Sequence, residues 1–194
     1  MKKSLGANPL VYPTPVWVIA TYNKDKTVNV MTAAWGGICC SKPPCLAVSL
    51  REATYTHGNI LRTKAFTVNI ATKDLINEVD YFGISTGRNT DKLADTGLTS
   101  ENSTVVNAPL IAEFPLNIEC RLKDVVEVGL HTQFIGEIID VKALESILGE
   151  KDVPDVELLN PVVFSPVVRK YHVLGETIGR AFDIGKKFRS KESS

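Results

Sequence analysis

Leu116, Ile118, Cys120 and Leu122 alternate with Asn117, Glu119, Arg121 and Lys123. A period of two sends successive side chains to opposite faces, so this stretch is a strand with one face buried and one wet. The pattern recurs along the chain. Phe66, Val68 and Ile70 alternate with Thr67 and Asn69, and Leu46, Val48 and Leu50 with Ala47, Ser49 and Arg51. Val16 to Thr21 is nearly all apolar and reads as a strand buried on both faces. Many short strands separated by turn signals, with a few helices between them, predict a mainly β chain. The expected architecture is a closed or partly closed antiparallel barrel, because closure removes the sticky edges of the sheet.

The connections follow from turn chemistry. Asn23-Lys24-Asp25-Lys26 is a polar turn, and Thr27 to Ala34 follows as the hairpin partner of the first strand. Thr72 is placed to cap a helix over Lys73 to Phe82, with Leu75, Ile76, Val79 and Phe82 on one stripe. Asn89 or Thr90 would cap a shorter helix through Ala94, ended at Gly97. Thr56 would cap a helix through Arg62. Leu116 through Val128 leads toward His131, and Phe134 to Val141 follows. No repeat or low-complexity segment interrupts the 194 residues, which suit one domain with a polar end from about Lys186.

One strand does not look like a core strand. Asn29 to Cys40 reads NVMTAAWGGICC. Asn29, Met31, Ala33 and Trp35 share a face, and two glycines follow, where the strand is expected to end. A buried face is ordinarily Val, Ile or Leu. An amide, small or soft residues and an indole instead suit contact with something flat and polar-edged. Asn29 offers a donor and an acceptor together.

Lys plus Arg equals Asp plus Glu at 22 each, so no charge field points to nucleic acid. MKKSLGANPLVYP lacks the apolar run of a signal peptide, and no window of about 18 apolar residues would span a membrane. A cytoplasmic protein is the expectation. Cys39, Cys40, Cys45 and Cys120 lack zinc-site spacing and read as buried, inert thiols. No dinucleotide fingerprint, P-loop, zincin or nucleophile-elbow motif occurs, and His57, His131 and His172 are scattered. Gly83 to Gly87 (GISTG) reads as a loop. Arg51 ends a strand just before the helix start near Thr56, a natural place for a phosphate. Lys92 lies in the first turn of its helix, where a cation opposes the dipole unless it serves an anion.

In order, the chain carries N-x-M-T-A-A-W, K-P-P-x-L-A-V-S-L-R, Y-T-H-x-N-I, F-T-V-N-I, D-K-L and L-H-T-x-F-I-G-E. This series resembles the flavin reductase-like, FMN-binding split-barrel family, its flavoredoxin branch above all, over roughly residues 8–170. The resemblance implies an antiparallel Greek-key split barrel and an FMN-dependent oxidoreductase, with FMN near a homodimer interface. It implies that Asn29, Met31, Thr32 and Ala33 meet the polar edge of the isoalloxazine, with Trp35 as the following aromatic. Leu50, Arg51 and Thr56 would approach the ribityl phosphate, and Lys92, His131 and Phe164 match further positions around the flavin. Electrons would come from transiently bound NADH or NADPH, or pass to and from a redox protein partner. By themselves Trp35 also suits a core or interface aromatic, Asn29 a hairpin residue, Arg51 and Lys92 surface charges, and His131 a strand end. The rival function is a ligand-binding or interaction barrel that has lost its flavin.

Overall fold

A computed structural model describes residues 1–189. Its strands, in chain order, are β1 (Thr14–Pro15), β2 (Trp17–Tyr22), β3 (Val28–Ala33), β4 (Gly36–Ser41), β5 (Pro44–Arg51), β6 (Ala65–Ile70), β7 (Ser100–Asn102), β8 (Pro109–Ile111), β9 (Leu116–Val128), β10 (His131–Ala143), β11 (Val162–Ser165) and β12 (Lys170–Val173). The α-helices are α1 (Tyr55–Thr63), α2 (Ile76–Ile84), α3 (Lys92–Thr96) and α4 (Val156–Leu159). Seven strands form one antiparallel sheet in the order β3-β2-β6-β9-β10-β5-β4. β1, β11 and β12 form a small second sheet, and β7 pairs with β8.

The large sheet curls. Ile19 of β2, Phe66 and Val68 of β6, Cys120 of β9, Phe134 of β10 and Leu46, Val48 and Leu50 of β5 all enter one buried cluster. A flat sheet would hold β3 and β5 five strand spacings of about 4.8 Å apart, yet their Cα atoms come within 8 Å, and only Ala34 and Trp35 join the two edge strands β3 and β4. Ile60 of α1 completes that cluster. The other face of β2 and β3 carries Val18, Ala20 and Val30, covered by Val79 and Phe82 of α2 and Leu93 of α3. Two cores on opposite faces explain why Val16 to Thr21 reads as apolar throughout.

Several local expectations shift. The glycines after Trp35 open β4 rather than ending a strand, and Trp35 itself lies between β3 and β4. Gly36 is needed there because the Trp17 ring crosses it: a Cβ would stand 2.2 Å from Trp17 Cζ3. Lys73–Leu75 is a 3₁₀ turn leading into α2, and Thr72 makes no side-chain cap bond. Asp91, not Asn89 or Thr90, caps α3, its carboxylate accepting from the Ala94 N–H at 3.1 Å; Gly97 ends the helix at φ 71°. Thr54, not Thr56, is the N-cap of α1. Cys39 and Cys40 are exposed, so only Cys45 and Cys120 are buried thiols. Of the polar end, Lys186 to Phe188 belong to a 3₁₀ turn, and residues 190–194 lie outside the described residues. Among the described residues no helix is long and apolar enough to cross a membrane.

Candidate functional site

A cavity of about 220 Å³ opens where β3, the α1 entry, the end of α2 and the start of α3 meet. Asn29 and Met31 form its floor. Arg51, Thr54, Tyr55 and Thr56 form one wall, and Gly83, Ser85, Thr86, Gly87 and Lys92 the other.

Asn29 is 3% exposed, and its Nδ2 donates to Thr56 Oγ1 at 2.8 Å and Thr21 Oγ1 at 3.4 Å. Asn59 Nδ2 donates to the same Thr21 hydroxyl at 3.2 Å and to Asn23 Oδ1 at 2.9 Å. These bonds pin α1 across β2 and β3. A buried amide left unpaired costs about 1–3 kcal/mol, so the network holds one arrangement.

Thr54 stands at the N-cap position of α1, but its side chain makes no cap bond. Its hydroxyl donates back to the Arg51 carbonyl at 2.8 Å, tightening the turn out of β5. The first-turn amides of α1 therefore have no side-chain acceptor from the cap, at a helix start that lines the cavity together with Arg51. Arg88 lies with its guanidinium carbon 5.0 Å from the Tyr55 ring centroid.

Lys92 is buried, not a surface charge. Its Nζ donates to the carbonyls of Val30 at 2.9 Å and Phe82 at 2.8 Å, tying α3 to β3 and to the end of α2. An ammonium has three N–H groups, so one remains for the cavity. Burial lowers its pKa to about 8, and no carboxylate pairs with it among the described residues. The cavity lining thus contains two cations, five hydroxyls and no carboxylate. That is the donor set of an anion site.

Of the residues named from sequence, Asn29, Met31, Arg51, Thr56 and Lys92 come together in this cavity. The others lie elsewhere. The Thr32 hydroxyl donates to the Val79 carbonyl and fixes α2 on β3. Ala33 and Leu50 are buried in the inner cluster. The Trp35 carbonyl accepts from the Ser49 N–H at 2.8 Å. His131 opens β10 directly opposite Arg51, beside the cavity wall. Phe164 sits in β11, its ring 5.4 Å from that of Tyr171, in the small sheet. Gly83 to Gly87, expected from sequence as a loop, begins inside α2, which runs to Ile84, and its Ser85, Thr86 and Gly87 line the cavity. The available signal was a serine and a threonine between two glycines at the end of a helix.

A flavin reductase like domain matches residues 10–167. The chain belongs to the flavin reductase like family. The flavoredoxin of Desulfovibrio vulgaris (Miyazaki F) superimposes with a TM-score of 0.92 at 49% identity, covering 96% of this chain and 100% of that one. A flavoredoxin from Methanosarcina acetivorans gives 0.91 at 27% identity, covering 97% and 100%. An uncharacterised protein of Archaeoglobus fulgidus is 34% identical over 139 residues, 72% of this chain and 78% of that protein. The likeness to flavoredoxins places this member of the family in that branch.

Proposed function

We propose that the protein is an FMN-dependent oxidoreductase of the flavoredoxin and flavin reductase type, holding the phosphate of FMN in the cavity between Arg51 and Lys92. The carrying observation is the lining itself: two cations, five hydroxyls and an uncapped helix start, with no carboxylate among them. Family membership supports a flavin as the group whose phosphate is held. At about 220 Å³ the cavity is smaller than the 300–1,000 Å³ usual for sites that enclose a whole small ligand. It suits one end of a ligand, with the rest lying outside it. The isoalloxazine would then run from Asn29 and Met31 toward Thr32, Ala33 and Trp35, in a split barrel formed by the curled sheet.

Bound FMN would supply the electron transfer; the chain binds, orients and tunes it. Arg51 and the α1 amides fix the anionic end. Lys92 sets the local charge and holds the 83–92 segment against β3. Asn29, itself locked by Thr56 and Thr21, presents a fixed amide edge rather than a mobile one. His131 and Phe164 would join the site in a homodimer, where a second copy brings further surface to the flavin. The likeness to flavoredoxins supports exchange of electrons with a redox protein partner. A reductase drawing on NADH or NADPH would bind the nicotinamide transiently, since the chain has no dinucleotide fingerprint.

The test is a visible spectrum of the purified protein, with FMN added if it is colourless, and then anaerobic NADH or NADPH. A flavin spectrum supports the proposal. Bleaching by either nucleotide makes the protein a reductase, and its absence makes it a carrier. A colourless protein that takes up no FMN overturns the reading and leaves a binding barrel without flavin.

A further inference from the structure

Three of the four cysteines sit on one hairpin. Cys39 and Cys40 of β4 are exposed, and Cys45 of β5 is 2% exposed. Lys42-Pro43 forms the turn, Ser41 stands opposite Pro44, and Cys40 stands directly opposite Cys45. Directly opposed residues of an antiparallel pair have Cα atoms about 4.5–5.5 Å apart and side chains on the same face. A disulfide requires a Cα separation of about 4.4–6.8 Å. The backbone therefore holds this pair in range without moving. Cys39 is the residue skipped at a register shift between Ile38 and Cys40, so it faces no partner on β5. Cys120 lies in the inner core on β9.

We propose that Cys40 and Cys45 are a redox-active dithiol, closed to a disulfide by exchange with a small-molecule disulfide of the glutathione class. The exposed Cys40 reacts first. It loses its proton to water, its sulfur attacks one sulfur of the small disulfide, that S–S bond breaks, and one small thiolate leaves. Cys45 then loses its proton, its sulfur attacks Cys40 Sγ in the mixed disulfide, and the second thiolate leaves. The two thiolates take up the two protons. Two protein thiols are oxidised and one small disulfide is reduced to two thiols. Burial pushes the Cys45 thiol up, which fits the resolving role rather than the first attack. The bond would fasten the edge strand β4 to β5, whose far end is Arg51. The inference rests on the hairpin and is independent of what the cavity binds.

The test uses the full chain, treated with oxidised glutathione, quenched with acid, and counted for fast-reacting thiols before peptide mapping. The exposed thiols predict two fast sites before treatment and the loss of Cys40 after it, with Cys39 either free or carrying a glutathione adduct. Mapping should show Cys40 joined to Cys45, and dithiothreitol should restore both fast sites. Cys39→Ser should leave the bond intact. Cys40→Ser, on the exposed strand, should abolish it without disturbing the core. A glutathione adduct that persists on Cys40, a bond that uses Cys39 or joins two chains, or a Cys40 that fails to react would each overturn the proposal.

Discussion

Gly87 lies so close to Asn29 that a Cβ at residue 87 would stand 2.0 Å from Asn29 Oδ1. No real Cβ tolerates that contact, so Gly87→Ala must either push the 85–91 segment off β3 or turn the Asn29 amide away from Thr56 and Thr21. Either response widens the cavity on its hydroxyl-bearing side. FMN affinity should fall about tenfold, equivalent to about 1.4 kcal/mol. Fluorescence titration of the flavin-free protein measures it, and a wild-type dissociation constant with an unchanged melting temperature would contradict the packing described.

Lys92 gives a pH signature. Its folded pKa is lowered by burial to about 8, against an ordinary value of 10.5. Below about pH 8 both states are protonated, and folding bears the full cost of burying the charge. Between about pH 8 and 10.5 the unfolded chain keeps a proton that the folded chain has released, so this group makes stability rise with pH across that window. The contribution is on the order of 2–3 kcal/mol. Phosphate affinity should move the other way, weakening from pH 7 to 9 as the ammonium is lost. Urea melts of the flavin-free protein and FMN titrations over that range check both, and Lys92→Met should flatten each profile.

Much of this was legible from alternation. Leu116 to Lys123 and Cys45 to Arg51 lie in strands because a period of two with one apolar face has few other solutions. The sheet order was not legible, since it depends on contacts such as Phe66 with Cys120, far apart in sequence. Helix starts were misplaced by one or two residues because Thr54, Thr56, Asn89, Thr90 and Asp91 are all competent caps. Lys92 looked like an exposed cation because helical position says nothing about the Val30 and Phe82 carbonyls waiting above it. Gly83 to Gly87 looked like filler because its meaning lies in Asn29, more than 50 residues earlier.

Arg51 and Trp35 should separate the two ends of the ligand. Arg51 lines the cavity, whereas Trp35 lies beyond it at the β3–β4 junction. Arg51→Ala should weaken both FMN and inorganic phosphate, by about 1.5–3 kcal/mol for a charge-assisted bond. Trp35→Ala should weaken FMN by about 1 kcal/mol, typical of an aromatic contact, and leave inorganic phosphate untouched. Calorimetric titration with each ligand reads the split. Equal loss of phosphate binding in Trp35→Ala would show that the ring and phosphate ends are wrongly divided.

Glu119 is fully buried on β9, and neither carboxylate oxygen has a hydrogen-bond partner among the described residues. Among the described residues its one counter-charge is Lys142 on the neighbouring β10, with Nζ 3.8 Å from Oε2. That lysine is also held by Asp140 and is 45% exposed, so it offsets the buried charge only in part. Removing the charge in place should therefore help: Glu119→Gln is expected to stabilise the fold by about 1 kcal/mol, as the desolvation cost of a carboxylate outweighs a single distant partner. Removing the partner should hurt more, because Lys142→Met leaves the carboxylate buried and alone, at a cost of about 3 kcal/mol. Chemical denaturation of the two variants and their double mutant tests the sign. In the double mutant most of the Lys142→Met penalty should vanish, and a penalty that persists would mean that Lys142 acts through packing rather than through Glu119.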